Sequence, residues 1–126
     1  MLYQNILLID DDEDDQEIFL TALESTRKPV RCTVLDSARK ALRQIIQGEI
    51  EADLIFLDLN MPLMNGQQFL TEIKKDEQLR KIPIVILSTS SNAATAMQVK
   101  QLGACHFFTK PDRFEDLVAI LNEVLV

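Results

Sequence analysis

LIFLDLNMP, residues 54–62, is an apolar run closed by an aspartate and followed by a proline-bearing loop. Leu54 to Leu57 shows no polar alternation, so it is expected to be a strand buried on both faces, as in a parallel sheet. Asp58 then stands at the carboxyl end of that strand. The loop from Asn60 to Gly66 leads into a helix expected near Gln67 to Lys75. Working outward, the same design recurs. Ile6-Leu7-Leu8-Ile9 ends at Asp10, Ile84-Val85-Ile86-Leu87 ends at Ser88, and His106-Phe107-Phe108-Thr109 ends at Lys110-Pro111. Val30 to Leu35 alternates and reads as a strand at an edge.

Between these runs lie stretches of helical period. The first helix is expected from about Asp12 to Thr26, with Ile18, Leu20, Ala22 and Leu23 on its apolar side. Ser37 is a fair N-cap for a helix running to Gly48, with Ala38, Ala41, Leu42, Ile45 and Ile46 as its buried stripe. Ser90, Ser91 and Asn92 offer caps for a helix closed by Gly103, and a last helix runs from about Arg113 to Leu125. Five strands alternating with five helices imply an α/β fold with helices on both faces of a parallel sheet. In open sheets of this kind, sites form beyond the carboxyl ends of the strands. Asp10, Asp58, Ser88 and Lys110 would therefore share one rim.

The bulk numbers exclude several classes. A length of 126 residues suits one domain, read here as residues 1–126. The net charge is −7, and six acids sit consecutively at positions 10–15, so the acidity is mostly local. With no basic cluster, nucleic-acid binding is not expected. No apolar run approaches the roughly 18 residues that span a bilayer, and the N-terminus lacks secretory features. A cytoplasmic, non-membrane protein is expected. Cys32 and Cys105 fit no metal or redox spacing and read as small core residues.

The rim residues suggest chemistry. Asp10, Asp11 and Asp58 brought together would repel one another unless a cation lay among them. A hard divalent ion with oxygen ligands, Mg²⁺ first, suits such a site better than zinc. Asp58 could serve as a nucleophile that becomes an aspartyl phosphate. Lys110 and Ser88 would neutralise and hydrogen-bond the phosphoryl oxygens. Asp12, Glu13 and Asp15 read more simply as acids of a first helical turn.

These segments resemble the receiver domain of two-component response regulators. LLIDDD is similar to its acidic pair, LIFLDLNMPLMNG to its phosphoacceptor motif, IVILSTS to its hydroxyl-bearing strand end, and FFTKP to its Lys-Pro motif. The resemblance covers essentially the whole chain. It implies a flavodoxin-like, doubly wound (βα)5 fold with strand order 2-1-3-4-5, which would put the two cysteines on opposite edges. It implies that Asp58 takes a phosphoryl group from a sensor histidine kinase or a phosphotransfer protein. Asp11, Asp58 and the Asn60 backbone carbonyl would hold the metal, and Asp10 would act through water. Ser88, helped by the Thr89 amide, and Phe107 would form the switch, and Lys110-Pro111 would be a cis bond.

The resemblance also implies a stand-alone receiver with no output domain, acting as a signalling module and not an enzyme. It would signal to a downstream protein, as a monomer or weak dimer, through the fourth helix, fifth strand and fifth helix. Met97, Lys100, Gln101, Asp112 and Glu115 are candidates for that face, with Met97 semi-buried. Asn60 and Ser90 resemble positions that tune phosphoryl lifetime. Four departures stand out: Ser88 for the commoner Thr, Phe107 without a hydroxyl, Asn65 where Asp is usual, and Asp112-Arg113 after the Lys-Pro motif where an aromatic is common.

Two rivals use the same residues. A haloacid-dehalogenase-type phosphatase needs an acid two residues after its nucleophile, where this chain has Asn60. A receiver-like binding module that never takes phosphate would lack a key residue, and none is missing. A nucleotide-binding flavodoxin relative is disfavoured because no glycine-rich loop follows the first strand.

Overall fold

The apolar runs are strands because β-branched and long aliphatic side chains can be buried on both sides of a parallel sheet. The computed structural model describes residues 3–126. Its elements are β1 (Asn5–Ile9), α1 (Glu13–Ser25), β2 (Arg31–Leu35), α2 (Ala38–Ile46), β3 (Leu54–Leu57), α3 (Gly66–Ile73), β4 (Ile84–Ser88), α4 (Ala93–Gln101), β5 (His106–Thr109) and α5 (Phe114–Val124). A 3-10 turn, Leu79–Lys81, precedes β4 and has no signature in the sequence pattern. The five strands are all parallel, in the order β2-β1-β3-β4-β5.

Alternation along the strands divides the interior into two layers. Leu7, Ile9, Ile55, Leu57, Ile84 and Ile86 face α2, α3 and α4, where they meet Ala41, Phe69, Ile73 and Val99. Ile6, Leu8, Leu54, Phe56, Val85 and Leu87 face α1 and α5, where they meet Phe19, Leu23, Leu117 and Leu121. Phe19 lies edge-to-face on Phe56 with ring centroids 5.0 Å apart. This geometry suits the quadrupoles of two rings.

The helices form where the sequence places them, with corrections to their faces. In α1 the buried stripe is Phe19, Ala22 and Leu23, whereas Ile18 and Leu20 are exposed. Spacing of i, i+3, i+4 selects the stripe, and residues one step to either side of Phe19 are rotated about 100° off it. In α2, Ala38, Ala41 and Ile45 are buried and Leu42 half-buried, but Ile46 is 55% exposed for the same reason. Met97 is exposed on α4, not semi-buried.

Ser37 and Asn92 cap α2 and α4 through side-chain oxygens. Asn65 forms a full capping box with Gln68 at the start of α3. Both cysteines are free. Cys32 is half-buried in β2, where burial pushes its thiol up to about 12. Cys105 is exposed just before β5, so it is not a core residue. No cis peptide bond occurs among the described residues. Lys110-Pro111 is trans, the isomer favoured by about 0.5–1 kcal/mol at an X-Pro bond.

Candidate functional site

Strand register builds the acidic end of the rim. Ile9 is paired with Leu57, so the residues that follow, Asp10 and Asp58, emerge side by side. The Asp58 amide donates to the Ile9 carbonyl (3.0 Å), and the Asp10 amide donates to the Leu35 carbonyl (3.0 Å). Both side chains are buried, and Asp11 beside them is exposed. One carboxylate oxygen from each of the three acids lies within 4.8 Å of the others. Around Asp10 the start of α1 is tied down. The Asp12 amide donates to Asp10 Oδ1 (3.0 Å), and Gln16 Nε2 donates to the Asp10 carbonyl (2.6 Å). The Asn60 amide reaches back to Asp58 Oδ1 at 3.4 Å, a long bond.

Burial dominates the electrostatics of this corner. Desolvation pushes the Asp10 carboxyl above its ordinary range, against the opposing pull of the Asp12 amide and Lys110. Desolvation does the same to Asp58. Lys110 offsets part of that rise, while the charges of Asp10 and Asp11 add to it. Positive charge brought to this corner would relieve both groups.

Lys110 enters from the far side, at the end of β5. Its amide donates to the Ser88 carbonyl at 2.6 Å, which fixes where the side chain starts. The ammonium Nζ lies 2.8 Å from Asp15 Oδ2, 3.0 Å from Asp10 Oδ2 and 3.6 Å from Asp58 Oδ2. Burial acts to lower its affinity for a proton, but hydrogen bonds to Asp15 and Asp10 and the charge of Asp58 outweigh this and raise it. Lys110 is a fixed cation here. Asp15 is thus more than the solvated first-turn acid that its sequence context suggests. No local pattern points to this, because Asp15 lies in the first turn of α1 and its partner is 95 positions away.

Ser88 is fully buried, and its Oγ accepts a hydrogen bond from the Ser90 amide at 3.1 Å. Phe107 is half-buried on β5 opposite Ile86, packed against the α2-α3-α4 layer. The loop after Asp58 is pinned by Gly66, whose amide donates to the Leu59 carbonyl at 3.0 Å. A Cβ on Gly66 would sit 2.9 Å from the Leu59 Cα and 3.0 Å from the Asp58 carbonyl oxygen. Only glycine lets the loop close this tightly behind the acid.

Asp10, Asp11, Asp58 and Lys110 meet at one end of the sheet, and Ser88 ends β4 beside the Lys110 backbone. Oxygen donors without nitrogen or sulfur, two of them buried and disfavoured as anions, fit a hard divalent cation. A hollow of about 700 Å³, lined in part by Tyr3, Lys28, Arg31 and Glu51, opens at the opposite end of the strands. It contains none of these residues.

Comparison with known proteins agrees with this layout. The family model described as "Response regulator receiver domain" matches residues 6–122. A two-component response regulator of Oryza sativa subsp. indica is 31% identical over 121 residues, which cover 96% of this chain and 80% of that protein. Among solved structures, the phosphorylated cyanobacterial phytochrome response regulator RcpA superposes with a TM-score of 0.85 at 31% identity, covering 97% of this chain and 91% of that one. The Mn(2+)-bound form of response regulator Rcp1 gives a TM-score of 0.84 at 28% identity, covering 96% and 91%.

Proposed function

Because this chain belongs to the response regulator receiver domain family, and so works in two-component, phosphorylation-dependent signalling, we propose that Asp58 is its phosphoacceptor. The observation that carries this reading is the convergence of the Asp10 and Asp11 carboxylates and one ammonium on Asp58, with Lys110 Nζ 3.6 Å from its Oδ2.

In this reading an Asp58 oxygen attacks the phosphorus of a phosphohistidine on a sensor histidine kinase or phosphotransfer protein. The P–N bond breaks as the O–P bond forms, and the imidazole keeps the electron pair. Lys110 neutralises a phosphoryl oxygen, and the Ser88 hydroxyl donates to another. Asp11, Asp58 and the Asn60 carbonyl would hold Mg²⁺, and Asp10 would act on it through water. When bound, the ion offsets charge on the attacking carboxylate and the transferred group. The existence of a Mn(2+)-bound form of response regulator Rcp1 supports the choice of a divalent ion. Positioning and charge neutralisation suffice, so no catalytic turnover on a small substrate is required.

The output is a changed protein surface, with Ser88 turning onto the phosphoryl group and Phe107 repacking in concert. We place that surface on α4, β5 and α5 of a cytoplasmic receiver, which reads out to a protein target and not to nucleic acid. No helix among the described residues is long and apolar enough to cross a membrane.

The test is intact-protein mass spectrometry after incubation with acetyl phosphate and Mg²⁺. A gain of one phosphoryl group is expected, absent in Asp58→Asn and without added metal. No gain in the native chain would favour a binding-only module. Multiple-turnover release of phosphate from a phosphomonoester would favour a phosphatase.

A further inference from the structure

We propose that Asp15 is a positioning residue for phosphoryl transfer, holding the Lys110 ammonium where the phosphoryl oxygens arrive. The proposal rests on Asp58 being the phosphoacceptor.

Lys110 makes its shortest side-chain contact with Asp15 (2.8 Å), not with Asp58 (3.6 Å). The two short contacts, to Asp15 and Asp10, are charge-assisted hydrogen bonds; the separation from Asp58 is too long for one. A phosphoryl group on Asp58 places its oxygens farther out than the carboxylate oxygen itself. An ammonium held 3.6 Å away can meet them with little movement. A free lysine side chain would have to be ordered at that moment, and long flexible side chains lose the most rotamer freedom on ordering. Held between Asp10 and Asp15, Lys110 has lost that freedom before transfer begins, which is how an oriented group accelerates a step.

Asp15 is suited to the task by its own anchoring. It lies in the first turn of α1, and its amide donates to Asp12 Oδ1 at 3.0 Å. The amide serves the helix cap, and the carboxylate is left for Lys110. It is also more exposed than Asp10 or Asp58, so its charge is held at less cost in desolvation.

The experiment compares native protein, Asp15→Ala and Asp15→Asn at saturating Mg²⁺. It reads the initial rate of mass gain from acetyl phosphate and the side-chain ammonium resonance of Lys110 by ¹⁵N NMR. Asp15→Ala keeps the helix cap, because the cap bonds the Asp15 backbone. We expect a rate at least about 5-fold lower in Asp15→Ala and loss of the protected ammonium signal. Asp15→Asn, which retains an acceptor oxygen, should recover part of both. An equal or faster rate in Asp15→Ala, or an unchanged Lys110 signal, would overturn the proposal. Should native protein itself take no phosphoryl group, the phosphoacceptor reading fails, while the Lys110 signal still tests the tether.

Discussion

At the scale of single residues, the buried acids govern both chemistry and stability. Asp10 and Asp58 hold protons more tightly in the folded chain than in the unfolded one, chiefly because burial disfavours their anions. Their contribution to stability is therefore fully present below the ordinary aspartate value of about 3.9, and it is lost as pH rises through their raised folded values. Metal-free protein should consequently show a falling contribution from these two groups as pH rises above the ordinary aspartate range, read as a drop in urea midpoint with an unchanged slope. Lys110 shifts upward as well, so it stays charged through this range and begins to lose its proton only above the ordinary lysine value of about 10.4. The same reasoning applies to Asp58→Asn. Replacing a buried, disfavoured anion by its neutral isostere should raise the urea midpoint of metal-free protein at pH 7.5 while abolishing phosphorylation. A lower midpoint in that variant would mean that the Lys110–Asp58 attraction outweighs desolvation.

At the scale of elements, the site depends on how the strand-to-helix loops are closed. The Asn65–Gln68 capping box starts α3 directly behind the Asp58 loop. Asn65→Ala should cost about 1 kcal/mol in equilibrium unfolding, the usual value for losing a side-chain N-cap. Gly66→Ala should cost about 1–3 kcal/mol by overpacking against Leu59, and it should slow phosphorylation because the displaced backbone carries Asp58. A Gly66→Ala protein of native stability would show that the loop can yield. These loops also mark where the sequence can and cannot be read. Asn65 reads from the sequence as a departure from a family pattern, while its structural role is a cap that Asn serves as well as Asp. The strand ends are legible because a parallel strand buried on both faces stays apolar until it leaves the sheet, so the first Asp, Ser or Lys marks the rim. Helix faces are less so. Ile18, Leu20 and Ile46 are as apolar as their buried neighbours, and only the crossing of α1 and α2 over the sheet decides which side is covered. The pairing of Asp15 with Lys110 joins residues 95 positions apart, a contact no local pattern announces.

For the whole molecule, the rim is an extension of the core. β3 is completely buried, and its last residue, Leu57, sits between Ile9 and Ile86 immediately before Asp58. A ligand that fixes Asp58 therefore acts on the strand at the centre of both hydrophobic layers, not on a separable loop. Unfolding should then be a single transition whose midpoint follows the cation. An ion bound only by the folded state contributes about 2.7 kcal/mol at a hundredfold excess over its dissociation constant. In a domain of this size that corresponds to a rise on the order of 10 °C in Tm. Differential scanning calorimetry with MgCl₂, against NaCl of equal ionic strength, should show the rise in the native chain. Asp11→Asn and Asp58→Asn should remove most of it, since each takes away one of three clustered carboxylates. EDTA should reverse it. Equal shifts in NaCl and MgCl₂ would point to general screening of the acids at positions 10–15, and would leave the rim without a specific cation.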